Sequence, residues 1–366
     1  MTYTLPFEQC NQDSVAQVGG KCASLGAMIQ AEAPVPPGFA ITTDAYQAML
    51  DTDGLAETIQ KHVAQLDPSD VAEEETISQT IRALIEKTPI PAEVERAIRA
   101  AYTELCEQNG VENLPVAVRS SATAEDLPGA SFAGQQDTFL WIVGADNVLE
   151  HVKKCWSSLY TARAIAYRQD NDFLHEKVLM SVAVQKMVNA KAAGVAFTLN
   201  PINGDRSKIT IDSSWGLGEA VVSGEVTPDN YLVDKVIFEI VKKTISSKHI
   251  EYAVDLENQC TIKRDVEPER QTEPSLTQEE LIAVAKMAKR AEKFYKAPQD
   301  VEWAIDADLP APNNVVILQS RPETVWSQKK QESVSTSQPF GMAGMINTLI
   351  KGVETGVKKP QSKTEE

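Results

Sequence analysis

Apolar positions change their spacing several times along the chain, and each change marks an element. From Thr43 to Gln108 they recur at helical intervals, as at Ile77, Ile81, Leu84 and Ile85, with breaks at Pro68, Pro89 and Pro91. A short apolar run from Val116 then predicts a buried strand ending at Arg119, and the chain continues with no long apolar residue until Leu127. Thr138 to Val143 reads as a strand. Val148, Val152, Trp156 and Leu159 follow as one helical face, with Arg163 and Arg168 toward its end. Val178 to Val188 is a nearly continuous apolar run interrupted by Gln185 and Lys186, and a second strand is expected at Gly194 to Leu199. Lys208 to Ser213 alternates as a half-buried strand, and Tyr231 to Val241 adds further strand. Thr277 with Glu280 makes a capping box for a helix reaching about Tyr295. Two last strands, Gln299 to Asp306 and Val315 to Thr324, flank a proline-rich loop.

Beyond Ser327 the pattern becomes polar and linker-like. Met345, Ile346, Leu349, Ile350 and Val353 then fall at helical spacing, so an amphipathic helix on a tether could dock a partner or fold back on its own lobe.

At 366 residues the chain exceeds one typical core, so two lobes and an appendage are expected. The start, Met1 to Gln12, is polar and lacks a basic stretch followed by an apolar one, and no apolar run approaches bilayer length. Five scattered cysteines without a Cys-x-x-Cys pair suit reduced thiols in the cytoplasm. A net charge of −17 argues against nucleic acid as a partner, although an anionic nucleotide can bind where a few cations converge in one cleft.

Candidate chemistry gathers in four places. Arg119, Ser120, Ser121 and Thr123 supply a planar cation and small donors suited to phosphate; the alternative is a polar surface loop after a core strand. Gly19-Gly20-Lys21 could form a phosphate-binding turn, although its spacing is not that of a Walker motif. Glycines on both sides of Leu217 would let the chain turn close to a ligand. Period-two alternation puts Asp300 with Glu302 on one face of their strand and Gln319 with Arg321 on one face of the next. Carboxylates, an amide oxygen and a guanidinium converging there would suit magnesium and a polyphosphate, since magnesium needs only one or two protein oxygens.

The order of these pieces resembles the ATP-binding domain of the phosphoenolpyruvate synthase and pyruvate phosphate dikinase family. Val116 to Phe139 matches the family's signature almost residue for residue. The Gly19-Gly20-Lys21 block, the Pro36-Pro37-Gly38-Phe39 turn, and the run from Cys155 to Ile165 match as well. So do Gly216-Leu217-Gly218-Glu219 followed by Pro228-Asp229, Asp300-x-Glu302-Trp303, and Leu318-Gln319-x-Arg321-Pro322. The resemblance implies an α+β fold of ATP-grasp type, two lobes with the nucleotide cleft between them. Residues 1–188 would form the N-terminal lobe, 189–326 the C-terminal lobe with the metal site, and 327–366 a linker with a docking helix. It further implies that Lys21, Arg119 and Arg321 act on the ATP phosphates and that Gln185, Met187 and Val188 form the adenine pocket. Gly134 and Gln135 would be a lid, with Thr138 and Glu219 also at the nucleotide. One arginine, Arg163 in preference to Arg168, would face the phosphates or else favour its helix end. Glu302 and Gln319 would ligate Mg2+ (or Mn2+), with Asp300 in support.

The resemblance runs from about Val18 to Thr324. None of the four histidines, His62, His151, His175 and His249, lies in a block like that of the family's phosphohistidine domain. The chain's extent is similar to that of the ATP-binding subunit of phenylphosphate synthase. This implies ATP cleavage to AMP and phosphate, with the β-phosphoryl group passed to a histidine on a separate subunit and then to phenol. A split phosphoenolpyruvate synthase, an antibiotic phosphotransferase, or an ATP sensor without turnover are the alternatives.

Overall fold

The structure, a computed structural model, describes residues 1–66, 71–123, 126–127, 130–131, 137–170, 178–255, 257–258 and 260–326. Gly134, Gln135, His175 and the expected tail helix lie outside these. Residues Met1–Thr324 form one compact unit.

The chain opens with β1 (Thr4–Pro6), α1 (Val15–Gln30) and β2 (Gly38–Ile41). Four helices follow: α2 (Thr43–Leu50), α3 (Leu55–Val63), α4 (Val71–Lys87) and α5 (Ala92–Gln108). Next come β3 (Val116–Ala122), the two-residue strands β4 (Asp126–Leu127) and β5 (Ala130–Ser131), and β6 (Thr138–Ile142). Helices α6 (Ala145–Ser157) and α7 (Ala162–Asp170) lead to β7 (Met180–Lys186). The remainder holds β8 (Ala190–Phe197), β9 (Lys208–Trp215), α8 (Glu219–Val222), β10 (Asp229–Asp234) and β11 (Ile240–Thr244). Then come β12 (Ile250–Asp255), β13 (Cys260–Asp265), α9 (Gln278–Tyr295), β14 (Gln299–Asp306) and β15 (Val315–Pro322). This is a mixed α and β fold with antiparallel sheets, in keeping with the α+β expectation.

Five strands in the order β1-β2-β7-β3-β6 make one sheet, and six in the order β11-β10-β9-β8-β14-β15 make another. The first draws on residues before Met187 and the second on residues after Asn189. Side chains alternate across the first sheet. Val116 and Val118 of β3, with Met180, Val182 and Val184 of β7, join the buried faces of α2 to α6, where Ile81, Ile98 and Trp156 pack. The opposite face, through Ala40 and Ala183, packs on Val18, Cys22 and Leu25 of α1.

In the second sheet Ile209, Ile211, Val301, Trp303 and Ile305 bury one face against Leu281, Val284, Ala288 and Ala291 of α9. Helix α9 begins where the sequence places it, because Thr277 accepts from the Glu280 backbone and the Glu280 side chain accepts from Thr277 N–H. The other face carries a small cluster of Val188, Ala193, Ala304 and Val316. That leaves room beside it.

Two local features shape this region. Helix α1 is broken at Gly19, whose φ of 71° is the left-handed conformation that glycine adopts at least cost. A Cβ there would sit 2.0 Å from the Ser121 carbonyl oxygen. Ser121 Oγ donates to Val18 O and accepts from Cys22 N–H, so β3 holds the break from both sides. Strand β15 carries the second feature. Glu302 pairs with Gln319 but Trp303 pairs with Ile317, which leaves Leu318 as the extra residue of a bulge.

Candidate active site

A cavity of about 590 Å3 is lined from both sheets. Strand β3 contributes Ala117 and Arg119, β6 contributes Thr138 and Leu140, and the end of β7 contributes Gln185, Lys186, Met187 and Val188. From the other sheet come Ala193 and Gly194 of β8, Glu302 and Ala304 of β14, and Leu318, Gln319 and Arg321 of β15. Lys21 of α1 and the Leu217–Gly218–Glu219 turn complete the lining.

The bulge at Leu318 is what presents the β15 residues. Ile317 faces the core, and strict alternation would send Gln319 the same way; the extra residue instead brings Leu318, Gln319 and Arg321 to the cavity. Glu302 stands directly opposite Gln319, and Asp300 directly opposite Arg321. Asp300 itself is not in the lining, although Arg321, its pair, is. Its Oδ1 is buried with no hydrogen-bond partner among the described residues. Burial pushes its carboxyl up to about 6, with Arg321 opposing the rise and Glu323 adding to it.

Lys21 is buried and its Nζ donates to Ser120 O at 2.7 Å. Arg119 reaches across to the other sheet, donating through Nη1 to Leu318 O at 3.4 Å, while its Nε is buried without a hydrogen-bond partner among the described residues. Gln185 is buried, and its amide donates to Pro36 O at 3.2 Å, which leaves its oxygen for another donor. Four cations, Lys21, Arg119, Lys186 and Arg321, stand around the cavity against three carboxylates, Asp137, Glu219 and Glu302. Local charge here is thus reversed from the chain's −17.

Among the residues singled out in the sequence, Lys21, Arg119, Ser120, Thr138, Gln185, Met187, Val188, Gly218, Glu219, Glu302, Gln319 and Arg321 line one space. Arg163 departs from expectation. Helix α6 ends at Ser157, a short turn intervenes, and Arg163 sits exposed in the first turn of α7, outside the lining. It is not among the lining residues and does not stand at a helix C-terminus. Arg168 is buried and stacks over the Tyr160 ring at 5.4 Å.

Sequence reasoning passed over Lys186 and Asp137. A charge ending the apolar run of β7 was a usable sign for Lys186, whereas Asp137 had none. Burial raises the Asp137 carboxyl, and Arg82, 3.2 Å away, counters part of the rise.

Among the described residues no group of three or more His, Cys, Asp or Glu side chains is arranged to hold a metal. Glu302 and Gln319 nonetheless offer two oxygens from facing positions, with the unpartnered Asp300 oxygen on the same strand. That donor set fits a hard divalent cation that keeps water and phosphate oxygens as its remaining ligands.

Residues 15–340 match the family model described as "Pyruvate phosphate dikinase, AMP/ATP-binding domain". The chain belongs to this family. Its relatives include a probable phosphoenolpyruvate synthase of Staphylothermus marinus, 45% identical over 347 residues, covering 89% of this chain and 42% of the relative. The probable phosphoenolpyruvate synthase of Methanothermobacter thermautotrophicus is 44% identical, over 94% of this chain and 49% of its own length. The phosphoenolpyruvate synthase of Aeropyrum pernix is 43% identical, over 95% and 45% respectively. The chain thus spans about half the length of these curated relatives. Membership in this family makes the chain an ATP-binding domain of dikinase type. No helix among the described residues is long and apolar enough to cross a membrane.

Proposed function

We propose that the cavity between the two sheets is an ATP-grasp cleft holding ATP and a divalent cation, and that the chain serves a dikinase-type phosphotransfer to a histidine on a partner. The observation that carries this reading is the direct opposition of Glu302 and Gln319 beside Arg321, with Lys21 and Arg119 around the same space. Residues 1–188 and 189–326 would act as the two lobes, and 327–366 as linker and docking helix. Adenine would take the end formed by Gln185, Met187 and Val188, where the Gln185 amide oxygen can accept from an exocyclic amine. The triphosphate would lie toward Lys21, Arg119 and Arg321. Lys186 is a further cation within the lining.

Mg2+ or Mn2+ would be held by Glu302 and Gln319, with Asp300 in support, and would neutralise charge on the phosphate oxygens. Among this chain's own groups, catalysis is positioning and charge compensation. Lys21, Arg119 and Arg321 hold the phosphates in line and take up charge as it develops, and no general base is needed from the lining. His62, His151 and His249 lie outside the lining, which supports a phosphate acceptor elsewhere. ATP and water would yield AMP and phosphate as the β-phosphoryl group passes to the partner's histidine.

For the final acceptor, pyruvate is the better reading. The names of the relatives favour phosphoenolpyruvate synthase, whereas phenylphosphate synthase rested on the extent of the chain alone. A sensor without turnover could dispense with part of the charged set that is intact here. Incubation with β-labelled ATP and a histidine-bearing partner should place label on the histidine and release AMP. Absence of both with every partner tried would remove the transferase reading.

A further inference from the structure

The residues assigned to the phosphate end come from three distant segments, and one hydroxyl joins two of them. Helix α1 supplies Lys21, and β15 supplies Gln319 and Arg321. Ser24 lies one helical turn after Lys21, is buried, and its Oγ donates to the main-chain oxygen of Ser320 at 2.5 Å. Ser320 is the residue between Gln319 and Arg321.

A hydroxyl has a single proton to donate. Ser24 spends it on Ser320, so Tyr295 Oη, 3.1 Å from Ser24 Oγ and 3.5 Å from the Ser24 main-chain oxygen, shares its own single proton between those two acceptors. Both acceptors belong to Ser24, so the phenol holds that residue in place against β15. Tyr295 ends α9 and accepts in turn from Gln12 Nε2 at 3.5 Å. Strand β15 is an edge strand, so carbonyls facing away from β14 need partners from outside the sheet. Two such partners come from the N-terminal part of the chain: Arg119 takes Leu318 O, and Ser24 takes Ser320 O. On the other side of the same strand, Ser320 Oγ donates to Gln299 Oε1 at 3.0 Å, which fixes Ser320 against β14.

We propose that Ser24, supported by Tyr295, is a positioning residue that sets the spacing between Lys21 and the Gln319–Arg321 pair. It touches no substrate. Its effect is transmitted through the helix turn to Lys21 and through the Ser320 carbonyl to the two flanking side chains. The inference rests on the reading of the cavity as the ATP site, and it confines the role of Ser24 to the phosphate end. A serine that merely satisfies a buried carbonyl would have no such preference.

Equilibrium binding of Mg-ATP and of adenosine to the full chain separates these. Losing one buried hydrogen bond at a charged site, Ser24→Ala should weaken Mg-ATP about tenfold while leaving adenosine within about twofold. Tyr295→Phe should move Mg-ATP affinity in the same direction by less. In a Lys21→Met background, Ser24→Ala should lose most of its effect, as expected for coupled groups. Unchanged Mg-ATP affinity in Ser24→Ala, equal loss of both ligands, or a full effect without Lys21 would each overturn the inference. If the unmodified chain binds neither ligand, the reading of the cavity fails first, and that result is distinct from the others.

Discussion

At the scale of single residues, Glu302 and Gly19 make the sharpest demands. Glu302 is the one carboxylate of the lining that stands opposite an amide side chain, and the proposed metal site rests on it. Glu302→Ala should lower the affinity for ATP in Mg2+ by at least about tenfold and change little in excess chelator. Equal affinities with and without Mg2+ in the unmodified chain would remove that assignment. Gly19 has a φ of 71° and the Ser121 carbonyl 2.0 Å from where a Cβ would be. Gly19→Ala should therefore cost at least about 2 kcal/mol of stability by denaturant titration, from strain and from forced separation of α1 and β3. A variant as stable as the parent would mean that the break is not held as described. Most of the candidate lining was legible at this scale, because its residues sit in blocks whose order carries the family. Asp137 was not, since an isolated acid before a strand looks like any solvated loop residue. The place of Arg163 at the start of α7 was not legible either, because the break after Ser157 contains neither proline nor glycine and a continuous helix is the simpler reading of its apolar face.

At the scale of elements, the turn bearing Leu217 and Glu219 depends on polar groups beneath it. Asp229 and Lys248 form an ion pair at 2.7 Å with both side chains fully buried. Asp229 also accepts from Ser246 N, Ser275 N and Ser275 Oγ, and Ser275 Oγ lies 2.8 Å from Ser213 Oγ on β9, just ahead of the turn. Lys248→Met would leave the Asp229 carboxylate buried without its counter-charge, and should cost about 3–5 kcal/mol in a denaturant titration. A loss below about 1 kcal/mol would show that water or rearrangement satisfies Asp229. Strand positions were legible from alternation and helix α9 from its capping box. The bulge at Leu318 was not. Period two carries Ile317 and Gln319 to one side, and only the observed pairing with β14 shows the shift that sends one to the core and the other to the cavity. Nor could the sequence show that β7 inserts between β2 and β3, which brings Gln185 beside Ala117 and hence into the cavity wall.

At the scale of the whole molecule, a chain of net charge −17 collects Lys21, Arg119, Lys186 and Arg321 around one cavity lined from both sheets. Asp137, Glu219 and Glu302 line the same cavity, so the cations exceed the carboxylates by one in a chain that is elsewhere strongly acidic. Such a mixed lining suits a polyphosphate accompanied by a cation better than a neutral metabolite, and ties the charge pattern to the proposed chemistry. Calorimetric titration of ATP into the full chain, with Mg2+ and with excess chelator, tests this most directly. One site per chain is expected, tightened by Mg2+ and weakened at least about tenfold in both Arg321→Ala and Lys21→Met, as charge-assisted phosphate contacts require. No binding, or binding that both variants leave unchanged, would contradict it.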